Sequence, residues 1–326
     1  MLRWTDLSQI PADLGPSVVT LGNFDGVHRG HRAVLRAVRE QADTAGALAL
    51  AVTFDPHPVA VLHPERAPEA ITSLEQRLRL LEDTGLDGVL VMEFTKELAL
   101  WTAEEFVRRV FVDAMHACAV VVGRDTRFGV HNSGDVQTLR ELGATHGFEV
   151  TTMEDVGADT SDGQGRWSST RVRSLLAAGD VATAAALLGR PHRVSGAVVH
   201  GAHRGRDLGY PTANLCQDSA GLVPADGVYA GWLVRDGRTP DDPDRCLPAA
   251  ISVGTNPTFD GQARTVEAYV LDRTDLDLYG EVVALEFVSR LRPTEKFDSI
   301  EDLLEQMAED VRRCHEVLGV PLHERS

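Results

Sequence analysis

In the first half of the chain, short apolar runs alternate with stretches in which apolar residues recur every three or four positions. The runs SVVTL (17–21), ALALAVTF (47–54), GVLVM (88–92), CAVVVG (118–123) and FEVTTM (148–153) predict β-strands. Between the first two, Val34, Leu35 and Val38 recur at helical spacing and can face a sheet. Residues 73–82 read as a helix, Thr102 and Glu105 form a T-x-x-E capping box that opens another, and a third runs from about 135 to 146. This alternation predicts an α/β domain on a parallel sheet, and ligands of such sheets bind beyond the carboxyl ends of the strands.

The pattern changes near residue 187. RVSGAVVH, GVYAGWLV, LPAAISVG, RTVEAYVL and EVVALEFVSR read as strands, separated by turns rich in Gly, Pro and Asp such as DGRTPDDPD (236–244). Helical spacing returns only at 299–315, where Leu303, Leu304, Met307 and Val311 form a stripe suited to packing. Several strands and one closing α-helix predict a small antiparallel β-barrel. The boundary falls within AAALLGRPH (184–192), where an Ala-rich helix meets Gly189 and Pro191, giving domains 1–186 and 187–326. Gly201, Gly205 and Gly209 echo the spacing of Gly22, Gly26 and Gly30, but the flanks differ and no duplication is read.

Composition narrows the partners. With 326 residues the chain exceeds what one core usually serves. A net charge of -17 leaves no excess of cations to neutralise a nucleic-acid backbone, so nucleic acid is not expected, whereas a small phosphorylated ligand needs only a few local donors. Cys118, Cys216, Cys246 and Cys314 are scattered without a CxxC pair, which reads as reduced thiols in a cytoplasmic protein. The opening MLRWTDLSQIPADLG lacks the apolar run of a signal peptide, and no apolar stretch is long enough to cross a bilayer. Of the 32 basic residues only Lys96 and Lys296 are lysines, and neither lies in a GxxxxGK[ST] loop, so any ATP is held by another device.

The stretch LGNFDGVHRGH (21–31) is the strongest chemical signal. His28 and His31 stand three apart, one helical turn, at a glycine-rich junction between the first strand and a helix expected to start near Val27. They could join a metal site, but HExxH spacing is absent and His57 in TFDPHP is the nearest further ligand. They could simply cap the helix. As phosphate donors they explain more of the stretch: glycines let the backbone turn close to a ligand, and the positive end of the helix dipole faces the same point. SSTRVR supplies a second candidate clamp, with Ser169 and Thr170 as capable N-caps and Arg173 behind them; a plain capped helix is the alternative.

LGNFDGVHRGH resembles the HxGH nucleotidylyltransferases, and its wording resembles the adenylyltransferase half of bacterial FAD synthetases, bifunctional riboflavin kinase/FMN adenylyltransferases. The resemblance continues, in the family's order, through TFDPHP, EFTKELALWTAEEFV, VVGRDTRFG, SSTRVRSLLAAGDV, GRDLGYPTANL, GVYAGW, GTNPTF and VEAYVLD. It implies a Rossmann-like nucleotidylyltransferase domain followed by a riboflavin kinase barrel, with riboflavin, FMN, FAD and ATP as ligands and Mg²⁺ as cofactor. It assigns ATP phosphates to Gly22, Asn23, Phe24, Gly26, His28, His31, Ser169, Thr170 and Arg173, and the flavin side to Asp125, Arg127 and Phe128. Thr126 stands where the family usually has a bulky aromatic residue.

In the second half, Thr212 and Asn214 of GYPTANL alternate with Ala213 and project to one strand face, where they could complete the shell of a Mg²⁺ held mainly by ATP phosphates. Gly205 and Gly209, with Arg206 between them, could form a flap over the nucleotide. Glu267 is an acid inside an apolar strand; the resemblance makes it the base that takes the proton of the ribityl 5′-hydroxyl. Asn256 is expected to shape a turn. Two other readings remain: a nucleotidylyltransferase for another small phosphate, with the barrel a binding module, and a non-catalytic flavin sensor. A homo-oligomer is compatible with all three.

Overall fold

The computed structural model describes residues 1–154, 167–201, 209–258 and 261–322, with backbone alone at 256–258 and 261–263. It divides into two compact units, Met1–Ser169 and Thr170–Ser326.

The first unit runs β1 (Leu2–Trp4), β2 (Ser17–Leu21), α1 (Arg29–Ala45), β3 (Leu48–Asp55), α2 (Pro58–Leu62), α3 (Leu74–Glu82), β4 (Gly88–Glu93), α4 (Ala103–Phe106, continuing as π-helix through Val107–Ala114), β5 (Ala117–Gly123), α5 (Val136–His146) and β6 (Glu149–Met153). The strands form one sheet in the order β1-β4-β3-β2-β5-β6, every pair parallel. Alternation along each strand feeds two cores. Val19, Leu50, Val52, Leu90 and Val120 meet Phe106, Phe111 and Leu139 on one face. Val18, Ala51, Val89 and Val121 meet Leu35, Val38 and Leu81 on the other. The strand order reverses between β2 and β5, where a crevice opens at the carboxyl ends of the strands.

The expected strands and the Thr102–Glu105 capping box are present, the box closed by both reciprocal hydrogen bonds. The first helix starts at Arg29, not near Val27. Val27 has φ +37°, outside helical geometry, and His28 is the N-cap. The short edge strand β1 has too few residues to carry a pattern.

The second unit comprises α6 (Ser169–Ala178, less its first residue), α7 (Val181–Leu188), β7 (His192–Val199), β8 (Thr212–Leu215), β9 (Gly227–Val234), β10 (Cys246–Thr258), β11 (Gly261–Val270), β12 (Val282–Arg292) and α8 (Ile300–Leu318). The six strands close into a barrel, β10-β11-β8-β7-β12-β9, antiparallel throughout. Leu304, Met307 and Val311 of α8 pack against Tyr210, Tyr269 and Leu291 of the barrel. Helices α6 and α7 group with the barrel because Ala225 N–H donates to the Leu176 carbonyl (2.9 Å) and Arg290 to that of Ala178 (3.4 Å).

Candidate active sites

In the first unit a cavity of about 1100 Å³ lies beyond the carboxyl ends of the sheet strands. Residues following five strands line it, among them Asn23 after β2, His57 after β3, Phe94 after β4, Asp125 after β5 and Glu154 after β6. The loop from β2 to α1 forms one wall. Phe24 (φ +48°) and Val27 (φ +37°) take the left-handed region beside Gly26 (φ +80°), which folds the loop tightly and buries the Phe24 ring.

Two networks hold this loop. The buried Asp25 carboxylate accepts from Ile71 N–H (3.0 Å), Thr72 N–H (3.1 Å) and the Thr72 hydroxyl (3.2 Å), and that hydroxyl oxygen in turn accepts from Gly26 N–H (3.2 Å). The Asn23 carbonyl accepts from Arg77 (3.0 Å) and from the Thr53 hydroxyl (3.2 Å). Sequence reasoning passed over Asp25, Thr72 and Arg77. A signal for Arg77 existed: it falls on the apolar stripe of α3 marked by Leu74, Leu78 and Leu81, where a cation is out of place.

His28 bears out the capping reading. Its Nδ1 accepts the backbone N–H of His31 (3.3 Å), so it caps α1. An accepting Nδ1 carries no proton, which makes Nε2 the protonated, donating nitrogen. The His31 ring stacks on His28 with centroids 3.7 Å apart and meets the edge of Phe24 at 5.3 Å. Burial, with the neighbouring His28, pushes the His31 pKa well below the usual 6.5, so this imidazole is neutral near pH 7. Stacked rings present faces rather than lone pairs to each other, a poor arrangement for a shared metal. Among the described residues no group of three or more His, Cys, Asp or Glu could hold a metal ion. Gly30 is needed beneath His28: a Cβ there would stand 3.0 Å from Cε1 and 3.1 Å from Nδ1.

His57 caps α2, its Nδ1 accepting Val59 N–H (3.2 Å), and its Nε2 lies 3.2 Å from the Asn23 side-chain amide. Ser169, at the first turn of α6, donates to the Asp25 carbonyl (2.8 Å) and lines the same cavity. Thr170 and Arg173 follow on α6 and belong to the second unit, Thr170 exposed and Arg173 half-buried. Asp125 and Arg127 line the cavity on exposed positions, while Phe128 lines it from the core, 6% exposed, with its ring 6.1 Å from that of Phe106. Phe54, Phe94 and Trp101 extend this aromatic wall; all three lie inside the motifs TFDPHP and EFTKELALWTAEEFV, but are not singled out there as site residues.

The barrel assembles the second constellation. Glu267 on β11 pairs across from Asn214 on β8, and Thr212 donates from its hydroxyl to the Glu267 carboxylate (3.3 Å). Asn214 donates to the Thr212 carbonyl (3.2 Å) and hydroxyl oxygen (3.3 Å). Burial raises the Glu267 pKa above its usual 4.5, and the Thr212 bond only partly offsets it. Gly201 lies against the Asn214 amide, leaving no room for a Cβ, which would stand 2.6 Å from it. Gly205 and Arg206 lie outside the described residues, as does the Asn256 side chain.

The fold and these two constellations define a chain of two units, a glycine-rich strand-to-helix loop over a parallel sheet and an acid-bearing barrel. A family model described as FAD synthetase matches residues 10–171, and one described as riboflavin kinase matches residues 188–318. The bifunctional riboflavin kinase/FMN adenylyltransferase of Escherichia coli (strain K12) is 35% identical over 97% of this chain and 96% of its own. That of Pseudomonas fluorescens is 36% identical over 94% of each. A solved structure from Streptococcus pneumoniae, described as a macrolide-efflux protein, is 32% identical and covers 96% of this chain and 98% of its own, with a TM-score of 0.85. Among the described residues of this chain no helix is long and apolar enough to cross a membrane. The chain belongs to the bacterial bifunctional riboflavin kinase/FMN adenylyltransferase (FAD synthetase) family.

Proposed function

We propose that this protein makes FAD from riboflavin in two ATP-dependent steps, kinase chemistry in the barrel domain (187–326) and adenylyl transfer in the sheet domain (1–186). In the first step the ribityl 5′-oxygen of riboflavin attacks the γ-phosphorus of ATP, the bond to the β-phosphate oxygen breaks, and FMN and ADP result. Glu267 takes the hydroxyl proton; its raised pKa suits a base, and Thr212 holds its carboxylate in place. Thr212 and Asn214 offer neutral oxygen donors beside one carboxylate, a set that fits a Mg²⁺ whose remaining ligands are phosphate oxygens. Bound there, Mg²⁺ would supply charge neutralisation to the transferring phosphoryl group.

In the second step an FMN phosphate oxygen attacks the α-phosphorus of ATP and pyrophosphate leaves. No protein nucleophile is needed, so catalysis rests on positioning and on donors aimed at developing charge. His28, with its proton fixed on Nε2 by the helix cap, is such a donor. His31, neutral and stacked on it, is the second. Gly22, Asn23, Phe24 and Gly26 shape the loop that receives the phosphates, and the family resemblance adds Ser169, Thr170 and Arg173 to the phosphate contacts. The aromatic wall that includes Phe128 receives the flavin ring, with Asp125 and Arg127 at its polar edge. A cytoplasmic location belongs to the same reading, because both steps draw on ATP.

What supports this reading most is that the capped His28–His31 pair and the Thr212–Asn214–Glu267 cluster occur in one chain, each with the donors its own step requires. Incubation of the purified protein with riboflavin, ATP and Mg²⁺, followed by separation of the flavins, tests it: FMN should form first and FAD after it. A protein that binds flavin without converting it would return the sensor reading.

A further inference from the structure

The loop that ends at His28, the cap of α1, is bonded to a buried cation. Arg77 is 5% exposed. Its guanidinium donates to the Asn23 carbonyl (3.0 Å), the Phe54 carbonyl (3.2 Å) and the Asp55 carboxylate (3.2 Å), while its Nε is buried without a hydrogen-bond partner. Asn23 follows β2, and Phe54 and Asp55 end β3, so one side chain fastens the tip of the strand from which the histidine loop departs to the tip of its neighbour. Burying a charge costs several kcal/mol before its partners repay it. Joining these strands does not require that: they are already paired through Leu21 and Val52, and Gly22 N–H donates to the Val52 carbonyl (3.0 Å). What a neutral residue could not do is offset charge. Asp55 bonds Arg77 directly and Asp25 adds to the field Arg77 feels; Asp55 ends β3, and Asp25 lies in the phosphate loop itself. Without a cation there, a polyanion would approach two like charges.

Resting on the adenylyl-transfer reading above, we propose that Arg77 is a positioning residue for the nucleotide-phosphate site. It holds the Asn23 carbonyl, and hence the loop that carries His28. It also neutralises Asp25 and Asp55 so that a triphosphate can settle above them.

The test uses the full chain, with Arg77→Gln, Arg77→Lys, Asp55→Asn and the pair Arg77→Gln/Asp55→Asn. The conversion of FMN to FAD is followed at varied ATP, and riboflavin phosphorylation by the same samples reports the barrel. Arg77→Gln should raise the KM for ATP about tenfold or more and lower kcat, with kinase activity unchanged. Arg77→Lys, which restores the charge but not the planar fork, should recover part of that KM while kcat stays below wild type. Adding Asp55→Asn to Arg77→Gln should recover part of the lost affinity.

Asp55 is half-exposed and tolerates replacement, so Asp55→Asn alone is decisive even if Arg77→Gln does not fold. Charge compensation predicts a lower KM for ATP than wild type; an unchanged or higher KM overturns the proposal. So does an Arg77→Gln enzyme with wild-type KM and kcat, or a kcat loss shared by the Gln and Lys variants with the KM unmoved. A wild-type chain that makes no FAD would instead remove the reading beneath the proposal.

Discussion

The backbone N–H of His31 donates to Nδ1 of His28, and the two imidazoles stack with their centroids 3.7 Å apart. One hydrogen bond therefore does two things: it ends the loop by capping α1, and it leaves Nε2 as the nitrogen of a neutral His28 that can donate. The capping and phosphate-binding readings of this motif are compatible, because they use opposite nitrogens of one ring.

Replacing both histidines by alanine should abolish FAD formation while FMN still accumulates, since the barrel is untouched. The single variants should differ in stability. His28→Ala loses the cap and should cost about 1 kcal/mol in urea unfolding of the first unit, whereas His31→Ala keeps the backbone donor and should cost less. Equal stability losses would mean that the cap contributes nothing.

Gly30→Ala tests how tightly the ring is held. The added methyl would press on Cε1 and Nδ1 of His28. The ring must shift by a few tenths of an ångström, and adenylyl transfer should fall by up to about a hundredfold with riboflavin phosphorylation intact. A Gly30→Ala enzyme that makes FAD at the wild-type rate would show that the ring's position is not critical.

Asp25→Ala should release the loop from Ile71 and Thr72 and leave those N–H groups without their buried acceptor. Each lost partner costs about 1–3 kcal/mol, so a fall in the melting temperature of the first unit should accompany lost adenylyl transfer. Thermal scans that superimpose on wild type would remove this strap from the account.

Glu267→Gln should stop FMN formation and leave the conversion of FMN to FAD intact. Its stability carries a sign that can be checked. The folded-state pKa of Glu267 is raised above 4.5 by burial, so the folded chain binds this proton more tightly than the unfolded chain. The stabilising contribution is fully present below pH 4.5 and is lost as pH rises through the folded value. The melting temperature of Glu267→Gln should thus match wild type near pH 4 and exceed it at pH 7. A variant less stable than wild type at pH 7 would contradict the assignment.

The sheet and the barrel were legible in the sequence because their strands are short apolar runs set between glycine, proline and aspartate turns. The Thr102–Glu105 box was legible because its two residues are local to each other. The start of α1 was not, because the turn that displaces it depends on Val27 at φ +37°, which a β-branched residue gives no reason to expect. Of the sites, the residues that form short motifs could be read: His28 with His31, and Thr212 with Asn214. Glu267 could be singled out as an acid in an apolar strand. Its bond to Thr212 spans two strands that meet only in the closed barrel. Asp25 acts through Ile71 and Thr72, 46 and 47 residues away, so nothing nearby announces its work, and Arg77 shows only as a cation out of place on an apolar stripe.

The central claim is that two separate pockets act on different phosphorus atoms of ATP. Isotope transfer from labelled ATP tests it most directly. With riboflavin as the starting flavin, label on the γ-phosphate should enter FMN and be carried into FAD, whereas label on the α-phosphate should appear in FAD and never in FMN. Glu267→Gln supplied with FMN should still incorporate the α-label. FAD without α-label, or FMN carrying it, would contradict the account.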